Sequence, residues 1–347
     1  MPSSMFRWSI HLLTIGCLFM LYLIFTGQKI GSLTPLPSIS ADQWQSLKTV
    51  FVSIFLEALP FILLGVLVSS ALNLFVSEDA LRRVMPKNPV LAIVVACLFG
   101  ILLPVCECGM IPIVRRLIRK GMPVYVGIAY ILAAPIINPV TFFATYTAFR
   151  GQPDMAWERV AVGFAVALSL GLILYKSVKK NPLRVDAHHH HDHRDEHAHV
   201  HNHNHDHGRK GSRLLDVFTH ASDEFFEMGK FLLIGAFLTA VIQTFVSRAD
   251  LVDLGGGALG PHLLMMGFAY LISLCSTSDA FIASSFNGMF PKSALLTFLV
   301  FGPMLDFKNT LMMLAAFRTR FVLKLSLLIV VAVPVASIVL SRTLFHS

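Results

Sequence analysis

Residues Leu103 to Phe142 read LPVCECGMIPIVRRLIRKGMPVYVGIAYILAAPIINPVTF, and this stretch decides the fold class. Cys106 and Cys108 flank Glu107 between Pro104 and Gly109, at the end of an apolar run. A basic cluster follows (Arg115, Arg116, Arg119, Lys120), and then a second apolar run interrupted by Pro135, Asn138 and Pro139. Proline removes a backbone donor and breaks the helical ladder, so the pattern predicts discontinuous helices inside a membrane. Thiols beside loosened backbone at the end of a hydrophobic segment suggest a site for a soft cation.

The rest of the chain agrees with a membrane reading. Of 347 residues, 55% are hydrophobic and 14% charged, against about 25% charged in soluble domains. The expected fold is an all-α, polytopic helical bundle. The formal net charge is +8, but Lys and Arg gather in short clusters between apolar runs. That suits topology signals on a bilayer better than a nucleic-acid surface, and no nucleic-acid partner is expected. The five cysteines, Cys17, Cys97, Cys106, Cys108 and Cys275, make no disulfide framework. Gly-rich phosphate loops are absent, so direct ATP use would need a partner.

Taken in order, residues 9–25 predict an uncleaved first span, followed by spans at about Val50 to Val76, 124–149, Val160 to Tyr175, 225–246, 293–317 and 322–341. Residues 90–105 and 261–275 are apolar but short for a crossing, which takes about 20 residues. Phe55, Glu57, Phe61, Leu63 and Gly65 match Phe225, Glu227, Phe231, Leu233 and Gly235, 170 positions on. Pro123, Pro135, Ala148, Phe149 and Arg150 match Pro291, Pro303, Ala316, Phe317 and Arg318, 168 positions on. Asn138 falls opposite Asp306, and Cys106 opposite Cys275. The matches predict two diverged repeats with broken or re-entrant helices, and a site at the repeat interface near the midplane. Four parts are expected: an N-terminal span and loop (1–45), a first repeat (46–178), a His-rich loop (179–214) and a second repeat (215–347). If the short segments dip in and return, the basic clusters lie on one face, which inverts one repeat relative to the other. The N-terminus and the His-rich loop are then cytoplasmic at the plasma (inner) membrane.

Candidate functional residues follow from charge and softness. Cys106 and Cys108, joined by Cys275, supply soft ligands for Cu(I), Zn(II) or trivalent arsenic. Cys17 and Cys97 are read as packing residues. Ionised carboxylates in hydrocarbon are costly and usually bind cations or carry protons. Glu107 and Asp279 are therefore placed with the substrate site, together with Asn138 and Pro139 at the broken backbone. Glu57, Glu227 and Asp306 are candidates for the coupling charge, with Lys308 an alternative ion-pair partner for Asp306. The tract 188–207 holds His188, His189, His190, His191, His193, His197, His199, His201, His203, His205 and His207. Such a loop would bind divalent metal without requiring it as a cofactor.

PVCECGMIPIVRRLIRKGMP together with AAPIINPVTF resembles the signature of the predicted permease family that includes the ArsP-like organoarsenical exporters, over about residues 45–340. The resemblance implies a multi-pass permease, which in some members moves trivalent organoarsenicals outward. The leading expectation is a secondary transporter, not an enzyme, that exports a soft metal or metalloid. A divalent-metal permease with a metal-sensing His-rich loop is the alternative, and a membrane thiol oxidoreductase a second. The expected partners are the lipid bilayer, the metal or metalloid substrate, and a membrane partner or a second copy of the chain.

Overall fold

A computed structural model describes residues 41–75, 85–86, 88–102, 107–178, 182–183, 210–245 and 259–344. The expected first span, Cys17, Cys106, the histidine tract and the side chain of Glu227 lie outside the described residues. Among the described residues the protein is all-helical, with no sheet. Six helices precede the loop: α1 (Ala41–Phe75), α2 (Pro89–Leu102), α3 (Glu107–Arg119), α4 (Val124–Ile137), α5 (Pro139–Ala148) and α6 (Asp154–Ser177). Six follow it: α7 (Lys210–Phe245), α8 (Gly260–Ile272), α9 (Ser278–Ser285), α10 (Lys292–Met304), α11 (Phe307–Ala316) and α12 (Thr319–Leu344).

Five segments are long and apolar enough to cross a bilayer: Gln43–Ala71, Val124–Ala148, Asp154–Ser177, Lys292–Ala316 and Thr319–Ser341. Their outer faces are apolar because their solvent is lipid. On α12 the exposed residues Leu323, Leu327, Val331, Val335 and Val339 recur every fourth position, while Val322, Leu325, Ile329 and Val333 face the core. That spacing is one stripe of a helix. An exposed apolar stripe of this length is a lipid-facing surface. Helices α2 and α8, of 14 and 13 residues, reach only about 20 Å at 1.5 Å per residue, short of a hydrocarbon core of about 30 Å.

The first span begins earlier than hydropathy suggests. It was expected from Val50, but α1 starts at Ala41, because Gln43, Gln45 and Lys48 are good helix formers that extend the helix beyond its apolar core. Glu57 consequently stands at the midpoint of the Gln43–Ala71 span. Likewise α7 starts at Lys210, well before the span expected at 225–246, and its apolar stretch is the shorter Met228–Val241.

Two spans are broken. Between α4 and α5, Asn138 is extended (φ −66°, ψ 145°) and Pro139 occupies the first turn of α5. Proline disfavours the helical conformation in the residue before it and is well suited to a helix start. The Asn138 side chain accepts from the Thr141 N–H at 2.9 Å, so the break is capped as it forms. Thr141 Oγ1 donates to the Pro135 carbonyl at 3.0 Å, satisfying a second group freed by the break. Between α10 and α11, Leu305 is extended and Asp306 caps α11 by accepting from the Asn309 N–H.

Both breaks are buried. Helix α3 packs on α11 and α9 on α5, while α4 packs on α10 and α1 on α7. Close approach sets the position of α3: a Cβ at Gly65 would sit 2.5 Å from the Cα and the carbonyl oxygen of Gly109. Backbone cannot yield as a side-chain tip does. Gly65→Leu should therefore push α3 off α1 and cost about 1–3 kcal/mol or more. A lowered melting temperature in detergent, with Gly267→Leu at an open position as control, would measure this. Equal stability of the two variants would contradict the packing.

Candidate functional site

Ile54, Glu57, Ala58 and Phe61 lie on one face of α1, at the i, i+3, i+4, i+7 spacing of a helix. Opposite them, Glu107 and Cys108 open α3, Cys275 stands in the irregular segment 273–277, and Lys308 rises from the first turn of α11. Together they line a small cleft with an interior cavity of about 20 Å³. That is room for little more than one water-sized group, so the cleft as it stands suits only a small species. One wall is α1, apolar apart from Glu57; the opposite wall comes from three different elements.

The sequence-predicted residues fall into three groups. Cys108, Cys275, Glu107 and Glu57 meet in the cleft. Asn138, Pro139 and Asp306 serve the two helix breaks, where Asn138 and Asp306 are caps. Asp279 is buried in the first turn of α9. Its carboxylate fits because the facing residue is glycine: a Cβ on Gly302 would lie 2.8 Å from Asp279 Oδ2. Cys97 is fully buried in the apolar core, a packing position.

The cleft wall is polar and tightly held. The Cys275 Sγ lies 2.9 Å from Thr277 Oγ1 and 3.3 Å from Ser278 Oγ. Helix α8 ends where Ser273 adopts a left-handed conformation, φ 51°, and its hydroxyl accepts from the Lys308 N–H at 3.2 Å. The segment that carries Cys275 is thus tied to the helix that carries Lys308. Glu107 is 2% exposed, and its Oε1 has no hydrogen-bond partner.

Behind the cleft, the two sides of the molecule are joined by Arg159 of α6, fully buried. Its guanidinium donates to Thr145 Oγ1 at 2.7 Å and to the Ser276 carbonyl at 2.9 Å. Thr141 and Ser276 hydroxyls meet at 3.3 Å beside it. Asp279 and Glu107 are its electrostatic neighbours. Sequence reading overlooked Arg159 because the span was expected to begin at Val160. An ionisable residue within a transmembrane helix was the available signal. Nearer the helix start, Glu158 pairs with Lys292 of α10 at 2.6 Å.

The buried acids Glu107, Asp279 and Asp306 share the interior with the buried cations Arg115, Arg159 and Lys308, and half-buried Glu57 lies at the cleft. The Lys308 Nζ stands 4.0 Å from Asp306 Oδ2. Among the described residues, no three His, Cys, Asp or Glu side chains are grouped to hold a metal ion.

A family model described as a predicted permease, ArsP_1, matches residues 43–342. The chain belongs to this permease family. It is 46% identical to the UPF0718 protein YcgR of Bacillus subtilis over 84% of this chain and 96% of that protein. It is 35% identical to a Streptococcus mutans protein named "Putative two-component membrane permease complex subunit", over 79% of this chain and 88% of the relative. The UPF0718 protein YraQ of Escherichia coli is 22% identical over 46% of each chain. No solved structure matches. The protein is a multi-span membrane permease, a transporter rather than an enzyme by family.

Arg159→Met should destabilise the protein by about 3 kcal/mol or more, because it leaves buried carboxylates without their cation and the Ser276 carbonyl without its donor. Arg159→Lys should fall between, since one ammonium cannot span Thr145 and Ser276 as the guanidinium fork does. Thermal melts of the purified variants give the comparison; an unaffected Arg159→Met protein would remove the residue from the structural core.

Proposed function

We propose that this permease is a secondary transporter that exports a small thiophilic metal or metalloid species, with the cleft between α1, α3 and Cys275 as its substrate site. The observation that carries the reading is that Cys108 and Cys275, far apart in sequence, line one small cleft with two carboxylates. Thiolate prefers soft acceptors over Na⁺, K⁺ or Mg²⁺. A monosubstituted trivalent arsenical has two exchangeable As–O bonds, so two thiols satisfy it. Each exchange forms an As–S bond, and the leaving hydroxide departs as water with the thiol proton. Cys106, in the same Cys-Glu-Cys turn, belongs to the site in this reading. Glu57 and Asp279 carry the coupling charge.

Two inverted repeats fit the same mechanism. Each half runs long helix, short apolar helix, short helix, broken span, long helix, in that order. The caps Asn138 and Asp306 occupy matching positions. The lengths of α2 and α8 favour re-entrance, which puts the basic clusters, the N-terminus and the His-rich loop on the cytoplasmic face. The Streptococcus mutans relative is named as a subunit of a two-component complex, which supports a membrane partner here. In this scheme the His-rich loop is a cytoplasmic metal collector.

Cells with and without the gene should differ in resistance and accumulation across a panel of methylarsenite, arsenite, Zn²⁺, Ni²⁺, Co²⁺ and Cu⁺. Cys108→Ser and Cys275→Ser should each abolish most of the difference at unchanged membrane abundance, and Cys97→Ser should leave it intact. Full activity of the Cys108→Ser, Cys275→Ser protein would refute the thiol site. A response to Zn²⁺, Ni²⁺ or Co²⁺ that depends on residues 188–207 would favour the divalent-metal reading. For topology, single cysteines introduced beside Arg83 and Lys120 should label from the same membrane face; labelling from opposite faces would rule out re-entrance.

A further inference from the structure

We propose that Gln243 of α7 is the positioning residue for Cys275; this rests on the cleft being the substrate site. The Gln243 side-chain amide donates from Nε2 to the carbonyl of Ile272, the last residue of α8. A carbonyl at a helix end has no partner within its own helix, and hydrocarbon supplies none. The next residue, Ser273, holds a left-handed conformation (φ 51°) that residues with a side chain rarely adopt. That conformation turns the chain out of α8 and into the segment that carries Cys275. It is held from both sides: Gln243 takes the carbonyl before it, and the Lys308 N–H donates to its hydroxyl at 3.2 Å. Cys275 follows directly, its Sγ 2.9 Å from Thr277 Oγ1.

Helix α7 contributes none of the described residues that line the cleft, yet it holds the parts that do. Gly235 lets it lie close to the backbone of Lys308, whose Cα is 3.3 Å from where a Cβ would be. Ala236 and Ala240 pack with Phe51 and Ile54 of α1 in a small core of their own, and Phe237 meets the Phe51 ring edge-on at 6.1 Å. Gln243 lies on the same stripe as Ala236 and Ala240, at the i, i+4, i+7 spacing of one helix face, and from there reaches α8. The stretch 235–243 is thus a rigid ruler of about 12 Å between the α1 wall and the thiol opposite. Without the Gln243 bond, the Ile272 carbonyl has to seek another donor, Ser273 loses one of its two holds, and Cys275 drifts from its place in the cleft. Cys108 is set independently, by the contact of α1 with α3 at Gly65 and Gly109. The effect of Gln243 on the site therefore passes through Cys275.

The test is binding of Cd²⁺ to the purified full-length protein, read by the ultraviolet thiolate-to-cadmium charge-transfer absorption. Wild type, Gln243→Met, Cys275→Ser and the double variant form a cycle; methionine keeps the length of the side chain and removes the donor. Gln243→Met should weaken Cd²⁺ binding roughly tenfold or more and lower the saturated band toward that of Cys275→Ser. In the Cys275→Ser background the same change should shift affinity by less than about twofold. Thr244→Val, which removes a hydroxyl bonded within α7 itself, should leave both readings at wild type. If Gln243→Met does not fold, Gln243→Asn, one methylene short of Ile272, takes its place with the same expectations. An equal loss with and without Cys275 would overturn the proposal and make Gln243 a general support of the fold; so would wild-type binding by the Gln243 variant. A band that Cys108→Ser removes but Cys275→Ser leaves intact overturns this proposal alone and keeps Cys108 in the site. Absence of any Cys108-dependent band defeats the substrate-site reading and takes this proposal with it.

Discussion

Hydrocarbon offers no hydrogen bonds, and that one condition organises the interior of this permease. A helix that breaks inside a membrane exposes N–H and carbonyl groups that lipid cannot satisfy, so each break must be capped from within and covered by protein. Here the two breaks are capped by Asn138 and Asp306. The Pro135 carbonyl is met by Thr141. The covers are the short helices, with α9 lying against α5 and α3 against α11. Covering the breaks draws the ends of α3 and α9 inward. Those ends carry Glu107, Cys108 and Asp279. The cleft is thus a consequence of how the broken backbone is buried.

Buried charge is managed in the same way. Arg159 reaches across to the carbonyl of Ser276, so the segment bearing Cys275 is held on one side by a guanidinium. On the other side it is held by the bond between Ser273 and the backbone of Lys308. Two anchors on a five-residue irregular stretch fix where its thiol points. Buried charges of this kind are expensive unless they are paired or hydrogen-bonded, which is what these anchors supply.

Hydropathy and motif reading found much of this chain. Prolines 135 and 139 around Asn138 announced the first break, and the structure breaks there. The Cys-Glu-Cys turn and Cys275 were singled out as soft ligands, and Cys108 and Cys275 line one cleft. Glu57 was legible as an intramembrane acid, though its central position was not, because polar residues before Val50 extend the helix. Arg159 was hidden by a span boundary set at Val160, six residues after the helix begins at Asp154. Lys308 was visible as a neighbour of Asp306, but nothing in its local sequence pointed to the cleft.

Local chemistry is what the sequence determined by itself: which segments prefer lipid, where proline and asparagine interrupt a helix, and which side chains carry soft sulfur. Each of these depends on a residue and a few neighbours. The tertiary structure decided which side chains share a cavity. Ile54, Glu57, Ala58 and Phe61 form a wall because of helical spacing, but that wall faces Cys108 because Gly65 and Gly109 let two backbones touch. Lys308 faces the same space because Gly235 and Ser273 hold its backbone there. Contacts between residues so far apart in the chain are fixed by packing volume and backbone proximity, which no local pattern encodes.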